Sequence, residues 1–217
     1  MTRLTLKCTL VFVLLATAGF AESEPVAELR KKAESGDSSA QYNLGVRYAN
    51  GDGVTMDINE AMKWYRKAAE QGKIHAQYNL GLLLITKGSI SPDYDEAMKW
   101  WRMAAEQGNA EAAFGLGRLH ATGEGVPKNI PEGIKWWSIA ADRGSADASY
   151  SIGVKYANHD GVMEDLVEAH ARINVAGRLG EPRAAEALKI IEKLMSAEQI
   201  ATAIKLARDR FEKIQKK

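Results

Sequence analysis

The chain has 217 residues, with 29 basic against 28 acidic side chains, 46% apolar and 26% charged. That composition excludes a disordered or low-complexity chain. The near-neutral balance gives no general field for nucleic acid or an anionic membrane, so no nucleic-acid partner is expected.

The first 21 residues read as a secretory signal. Arg3 and Lys7 form a positive start, and Leu10 to Ala16 is an unbroken apolar run. Gly19 and Ala21 place small residues three and one before a cut after Ala21. An uncleaved anchor is the other reading, but the run is well short of the roughly 20 residues a bilayer span needs. The mature chain is therefore expected to have no stable membrane span. Cys8 is the single cysteine and leaves with the signal, so no disulfide is expected in an oxidising compartment. Losing Arg3 and Lys7 takes the 29 basic residues to 27, against 28 acidic.

Residues 22–35 read as an N-terminal capping helix, with Pro25 to Ser35 resembling the second helix of a pair without its first. From Gly36 the chain repeats itself. Glu60-Ala61-Met62-Lys63-Trp64-Tyr65 returns as Glu96-Ala97-Met98-Lys99-Trp100-Trp101 and as Glu132-Gly133-Ile134-Lys135-Trp136-Trp137. A weaker copy begins at Glu168. The closing glycines Gly36, Gly72, Gly108, Gly144 and Gly180 keep a period of 36 without slippage. Self-similarity at this length means stacked supersecondary units.

Each unit reads as two helices. The first carries Ala40, Leu44 and Tyr48 at spacing four. It contains an interior glycine, Gly45, Gly81, Gly117 or Gly153, which costs about 1 kcal/mol relative to alanine. Close approach of the paired helix is the simplest reason to keep it. A glycine turn follows at Gly51 to Val54, Gly123 to Val126 and Asp160 to Val162, replaced in the second unit by Lys87-Gly88-Ser89-Ile90. With a helix on each side and no preceding strand, this turn is not a phosphate loop.

The second helix starts at Asp57, Asp93, Asn129 or Asp165, with Glu60, Glu96, Glu132 or Glu168 three residues on. That spacing predicts a repeated capping box. The helix buries the stripe Ala61, Trp64, Tyr65 and Ala68. Trp64, Trp100 and Trp136 are read as the main inter-helix core, with Tyr65, Trp101 and Trp137 packing partly between units. Pro182 to Leu194 reads as a further first helix. A box at Ser196 to Gln199 opens a closing helix with Ile200, Ile204, Ala207, Phe211 and Ile214 on one side. About eleven helices and no strand are expected.

These motifs carry a family resemblance. Ala40-Gln41-Tyr42-Asn43-Leu44-Gly45, then Gly51-Asp52-Gly53-Val54, then Glu60 to Gly72 resemble the Sel1-like repeat, a relative of the tetratricopeptide repeat. The resemblance runs from about Gly36 to Gly180. The fourth copy departs from it, with Arg172 for the tryptophan and Gly177 for an alanine, and looser packing is expected there. The fold implied is an all-α, right-handed α-solenoid of stacked helix-turn-helix repeats. Its parts are a signal peptide at 1–21, a capping helix at 22–35, four full repeats and a half at 36–195, and a C-terminal capping helix at 196–217. Proteins of this type are mostly adaptors for other proteins. Exported bacterial members include regulators of envelope sensors and factors for host contact. A branch associated with β-lactam hydrolysis carries paired cysteines in each repeat, which this chain lacks.

No constellation for chemistry emerges. The mature chain has no cysteine, and Ser-x-x-Lys does not occur. Ser151 and Lys155 are four apart on one helix, a spacing too common to mark a catalytic pair. His75, His120, His159 and His170 show no metal-ligand spacing. Paired tryptophans have the shape of a sugar-stacking platform, but core packing accounts for them. No catalytic residue, cofactor or metal is expected.

The expected function is an exported, non-enzymatic scaffold, most simply periplasmic, that binds a protein or peptide of the cell envelope. An envelope hydrolase acting on β-lactams or cell-wall amides and a secreted host-interaction factor are the alternatives. In stacked helical pairs the first helices line the concave side. Positions half a turn from Ala40, Leu44 and Gly45 then face a groove. They are Tyr42, Val46 and Asn50; Tyr78, Leu82 and Thr86; Phe114, Arg118 and Thr122; and Tyr150, Val154 and Asn158. Packing against the next repeat is the competing reading for the aromatic members.

Overall fold

The computed structural model describes residues 25–86 and 92–216. The leader and the turn at Lys87 to Ile90 lie outside the described residues. Among those residues there are eleven helices and no strand. Helix α1 (Val26–Glu34) stands alone. Four pairs follow: α2 (Ser38–Asn50) with α3 (Ile58–Glu70), α4 (Ile74–Ile85) with α5 (Tyr94–Glu106), α6 (Ala110–Thr122) with α7 (Ile130–Ala141), and α8 (Ala146–Ala157) with α9 (Leu166–Arg178). Helices α10 (Ala184–Glu192) and α11 (Ala197–Gln215) close the chain. From α1 to α10 each helix packs on its sequence neighbours, the contact pattern of a helical solenoid. Helix α11 breaks the pattern and packs on α9.

The caps follow the repeat. Asp57, Asp93, Asn129 and Asp165 accept hydrogen bonds from the backbone N–H of Glu60, Glu96, Glu132 and Glu168. The predicted reciprocal half of the box is absent at these four sites, and Ser196 with Gln199 forms a full box. The reason is local. The N–H of each cap residue is already donated to the preceding helix, at the carbonyl of Tyr48, Leu84, His120 or Tyr156. The glutamates instead take charged or indole donors, which make stronger bonds. Glu60 and Glu132 hold Lys63 and Lys135. Glu96 accepts from Trp100 and from Arg66 of the preceding repeat, which holds its carboxyl below the usual range.

The core is centred one residue further along than the sequence suggests. Trp64 and Trp100 are buried, but Trp136 is half-buried, while Tyr65, Trp101 and Trp137 are all buried. One residue turns the side chain by about 100° on a helix. That rotation aims Trp101 and Trp137 at the first helix of the pair, where their indole N–H groups reach the carbonyls of Tyr78 (3.0 Å) and Phe114 (3.2 Å). Here the interior glycines matter. A Cβ on Gly45, Gly81 or Gly117 would stand 2.6, 2.6 or 2.3 Å from the ring of Tyr65, Trp101 or Trp137.

The fourth repeat is not loose. Ile173 takes the aromatic's place over Gly153 and is buried. Arg172 donates to Glu168 at 2.8 Å, as Trp100 donates to Glu96. A polar ladder not foreseen in the sequence ties the repeats together. Gln41 and Gln77 are buried and donate to the carbonyls of Ala33 and Ala69, near the C-termini of α1 and α3. They accept in turn from Gln71 and Gln107. In the third repeat Ala113 replaces the glutamine, and Arg143 reaches the equivalent carbonyl of Ala105 at 2.8 Å. In these three repeats a side chain donates to the same carbonyl, as a buried helix end favours.

Helix α11 corrects another expectation. Its buried residues are Ala203 and Ala207, packed with Ala171 and Val175 of α9, while Ile204 is exposed. Small residues allow two helices to approach closely. Arg210 reaches across to Glu168 at 2.8 Å, and Ile214 lies against Gly144.

The junction of α9 and α10 is electrostatic. Glu181 is buried and accepts from the Arg183 guanidinium (2.6 and 2.7 Å) and from its backbone N–H (3.0 Å). Those bonds push the Glu181 carboxyl down to about 2. A depressed carboxyl stabilises the fold above its unfolded value near 4.5, and this contribution is lost as pH falls from there towards 2. Glu181→Gln should therefore lower the melting temperature at pH 7, with the difference from wild type shrinking steadily below pH 4.5. A difference that stays constant across this window in thermal scans would show that the charge is not what matters.

Candidate binding groove

The first helices of the pairs, α2, α4, α6 and α8, are copies of one another at a 36-residue spacing, so their exposed residues form rows. The structure splits the predicted groove set in two. The aromatic row is half-buried and serves packing. Tyr42 lies against Tyr65 with ring centroids 5.7 Å apart, and Tyr78 and Phe114 stack on Trp101 and Trp137 at 6.3 Å. Burial raises the Tyr78 phenol above its ordinary range. Tyr150 is covered by the Arg183 guanidinium, 4.4 Å from its ring centre. The other two rows are more open. Val46, Arg118 and Val154 are half-buried, while Leu82, Asn50, Thr86, Thr122 and Asn158 are exposed.

Arg118 stands out among its equivalents Val46, Leu82 and Val154. It is not free: its guanidinium holds Glu124 of the following turn at 2.7 Å, and Glu124 also accepts from the Tyr94 hydroxyl at 3.1 Å. Both members of the ion pair are more than 40% exposed, so its contribution to stability is small.

The expected groove set ends at the fourth repeat, although Pro182 to Leu194 reads as a further first helix, and so leaves out a fifth rung. Thirty-six residues after Val154 and Asn158 stand Ile190 on α10 and Leu194 in the turn after it. They are 56% and 68% exposed. The signal that finds them is the period itself.

Elsewhere two of the side chains considered for chemistry are engaged in pairs. Lys155 pairs with Asp160 at 2.5 Å, away from any bond to Ser151. His170 is fully buried, with Nε2 3.0 Å from Glu192. Among the described residues no three His, Cys, Asp or Glu side chains gather as a metal site, and no helix is long and apolar enough to cross a membrane.

A stack of helical pairs with an open row of side chains belongs to the class of repeat solenoids. The family model of the Sel1 repeat matches residues 38–73, 74–109 and 110–145. The structure superposes on the Sel1 repeat protein from Oxalobacter formigenes with a TM-score of 0.69 and 31% identity, over 85% of this chain and 78% of that one. The chain therefore belongs to the Sel1 repeat family. A protective antigen of uropathogenic Escherichia coli with an SLR fold superposes with a TM-score of 0.51 and 28% identity, over 87% of this chain and 48% of that one. The secretory immunoglobulin A-binding protein EsiB of Escherichia coli O6:H1 is 47% identical over 38 residues, 18% of this chain and 8% of that protein. The match to EsiB is thus about one repeat long. Proteins of the Sel1 repeat family are generally protein–protein interaction scaffolds.

Proposed function

We propose that the protein is an exported, non-enzymatic adaptor that captures a protein or peptide of the cell envelope on the groove face of its first helices. The carrying observation is the pair of more open rows, Val46, Leu82, Arg118 and Val154 beside Asn50, Thr86, Thr122 and Asn158, each held at a 36-residue spacing by the repeat. Such spacing suits a helix or extended peptide laid across several repeats. Cleavage of the leader after Ala21 and residence in the periplasm are part of the same reading, resting on the charge and apolar pattern of residues 1–21.

The test is capture from envelope extract with residues 22–217 as bait. Arg118→Glu should leave helicity and melting temperature nearly unchanged, because an exposed ion pair is worth about 0.2–1 kcal/mol. It should weaken capture at least tenfold, about 1.4 kcal/mol. Unaltered capture by the folded variant would move the site off this face. Host contact is a second reading, favoured by the likeness to EsiB and to the uropathogenic antigen. Recovery from the culture medium in place of the periplasm would support it.

A further inference from the structure

Residues that depart from the repeat meet in one place. A cleft of about 600 Å³ opens where consecutive units join. It is lined by Ile74 and His75 at the start of α4, by Gln107 to Glu111 at the start of α6, by Arg143 before α8, and by Ile214 of α11. That volume is within the usual range of small-ligand sites. In the other full units the register of Arg143 holds Gln71, Gln107 and Leu179, and that of Ile74 holds Ser38, Ala110 and Ala146. Ile214 belongs to a helix that leaves the stack. The repeat requires none of the three, and departures of this kind collect at functional sites.

The charges there are mixed. Of the lining side chains His75, Glu111 and Arg143 are titratable, and all three are exposed. His75 and Glu111 belong to a row that continues as Ser39, Asp147 and Arg183. Those other members are engaged: Ser39 accepts from Lys73 at 3.0 Å, and Asp147 from Arg183 at 3.1 Å. His75 lies beside the Tyr42 ring, 6.1 Å between centres. Glu111 makes no hydrogen bond or ion pair among the described residues. An acid in the first turn suits the α6 dipole, so Glu111 alone marks nothing. Arg143 is what sets the cleft apart. It donates one N–H to the Ala105 carbonyl at 2.8 Å, which holds the guanidinium in place, and its other N–H groups have no acceptor among the described residues. A smaller cavity that shares Ile214 adds Asp142, Arg210, Lys213 and Lys216, of which Arg210 already holds Glu168 at 2.8 Å. Acids and bases both surround the site, which disfavours a ligand of one charge sign.

The cleft thus combines a fixed cation, an unpaired acid and two apolar side chains, Ile74 and Ile214. Its match is a zwitterion with an apolar body. We propose that it binds a short apolar peptide with both termini free. The terminal carboxylate goes to the planar Arg143 guanidinium, the terminal ammonium to Glu111, and the side chains to Ile74 and Ile214. Binding also acts on α11. Of its 19 residues only Ala203 and Ala207 are buried, and Ile214 is near its C-terminal end. A peptide seated on Ile214 joins that end to the second and third units, so binding stabilises the fold by linkage. The site is separate from the groove and does not rest on that reading.

Dileucine is the probe, titrated calorimetrically into residues 22–217. N-acetyl-dileucine lacks the ammonium, and dileucine amide lacks the carboxylate. Dileucine should bind and raise the melting temperature, and each blocked form should bind at least about tenfold more weakly. Glu111→Gln should lose about tenfold for dileucine yet bind N-acetyl-dileucine as wild type does, because that peptide has no charge for the acid to meet. Glu111 is exposed, so this variant should keep its circular dichroism and its melting temperature without peptide. Arg143→Gln, which restores the residue of the first two units, should likewise lose dileucine and bind the amide as wild type does. No binding of dileucine at millimolar concentration, equal binding of either blocked form, or full binding by Glu111→Gln overturns the proposal. So does an equal loss of dileucine and N-acetyl-dileucine in Glu111→Gln, which would make the acid a structural residue only. None of these outcomes bears on envelope capture, so the groove reading stands or falls by Arg118→Glu.

Discussion

Replacing Trp101 with alanine is expected to be the most damaging single truncation in the described residues. Trp101 fills the space between three helices. It lies over Gly81 of α4 and over Gly115 of α6, stacks on Tyr78, and fixes its indole N–H on the Tyr78 carbonyl. Removing a buried tryptophan costs about 3–5 kcal/mol. Total stability in ordinary domains is only about 5–15 kcal/mol. In a solenoid each unit is held by its neighbours, so a cavity here weakens both the second repeat and its interface with the third. Urea unfolding should show the midpoint falling far more than for Trp100→Ala, whose indole N–H donates to Glu96, itself paired with Arg66. A melting temperature within a degree or two of wild type for Trp101→Ala would refute the central role given to this ring.

The repeat was legible because its strongest signals are local and periodic. Cap residues, turn glycines and the apolar stripe recur every 36 residues, and each demands its own backbone feature. What the stripe cannot rank is the depth of neighbouring residues. Trp64 and Tyr65 both belong to an i, i+3, i+4, i+7 pattern, and which of them faces the paired helix depends on a rotation that only packing fixes. The closing helix shows the same limit in another form. The expected stripe holds Ala207 and Ile214, which do pack on α9, but it also holds Ile204, where close approach selects Ala203. A register signal existed, since Lys63, Lys99 and Lys135 give way to Ala171 in the fourth repeat, where α11 docks. The capping glutamates depart from the box because the N–H each would serve already has a partner in the preceding helix, which a local motif does not reveal. In the groove, the period located the rows, but burial separated the aromatic row from the open ones. The binding role of those rows rests on the proposal above.

The second large effect concerns a hydrogen atom. In repeats one, two and four the first-helix glycine faces an alanine, Ala61, Ala97 or Ala169, but in the third Gly117 faces Gly133. A Cβ on Gly117 would stand 2.3 Å from Trp137 Cδ1, 2.5 Å from its Nε1 and 2.8 Å from the Gly133 carbonyl oxygen. The ring cannot swing away freely, because it is buried and its N–H is fixed on the Phe114 carbonyl. The oxygen belongs to the backbone of α7 and moves only if the helix moves. Two effects therefore oppose each other in Gly117→Ala. Helix propensity gains about 1 kcal/mol, whereas overpacking a tight core costs about 1–3 kcal/mol or more. Contact with both a pinned ring and a backbone oxygen puts the cost at the upper end, so a net loss of about 2 kcal/mol is expected. For a chain of this size that is a fall of roughly 4–8 °C in melting temperature. Gly45→Ala should lose less, because its closest backbone neighbour, the Ala61 oxygen, would stand 3.3 Å away and the remaining clash is with the edge of the Tyr65 ring. Thermal scans of the two variants side by side decide the matter. If Gly117→Ala melts higher than wild type, propensity has won and the interior glycines do not exist to bring the helices together.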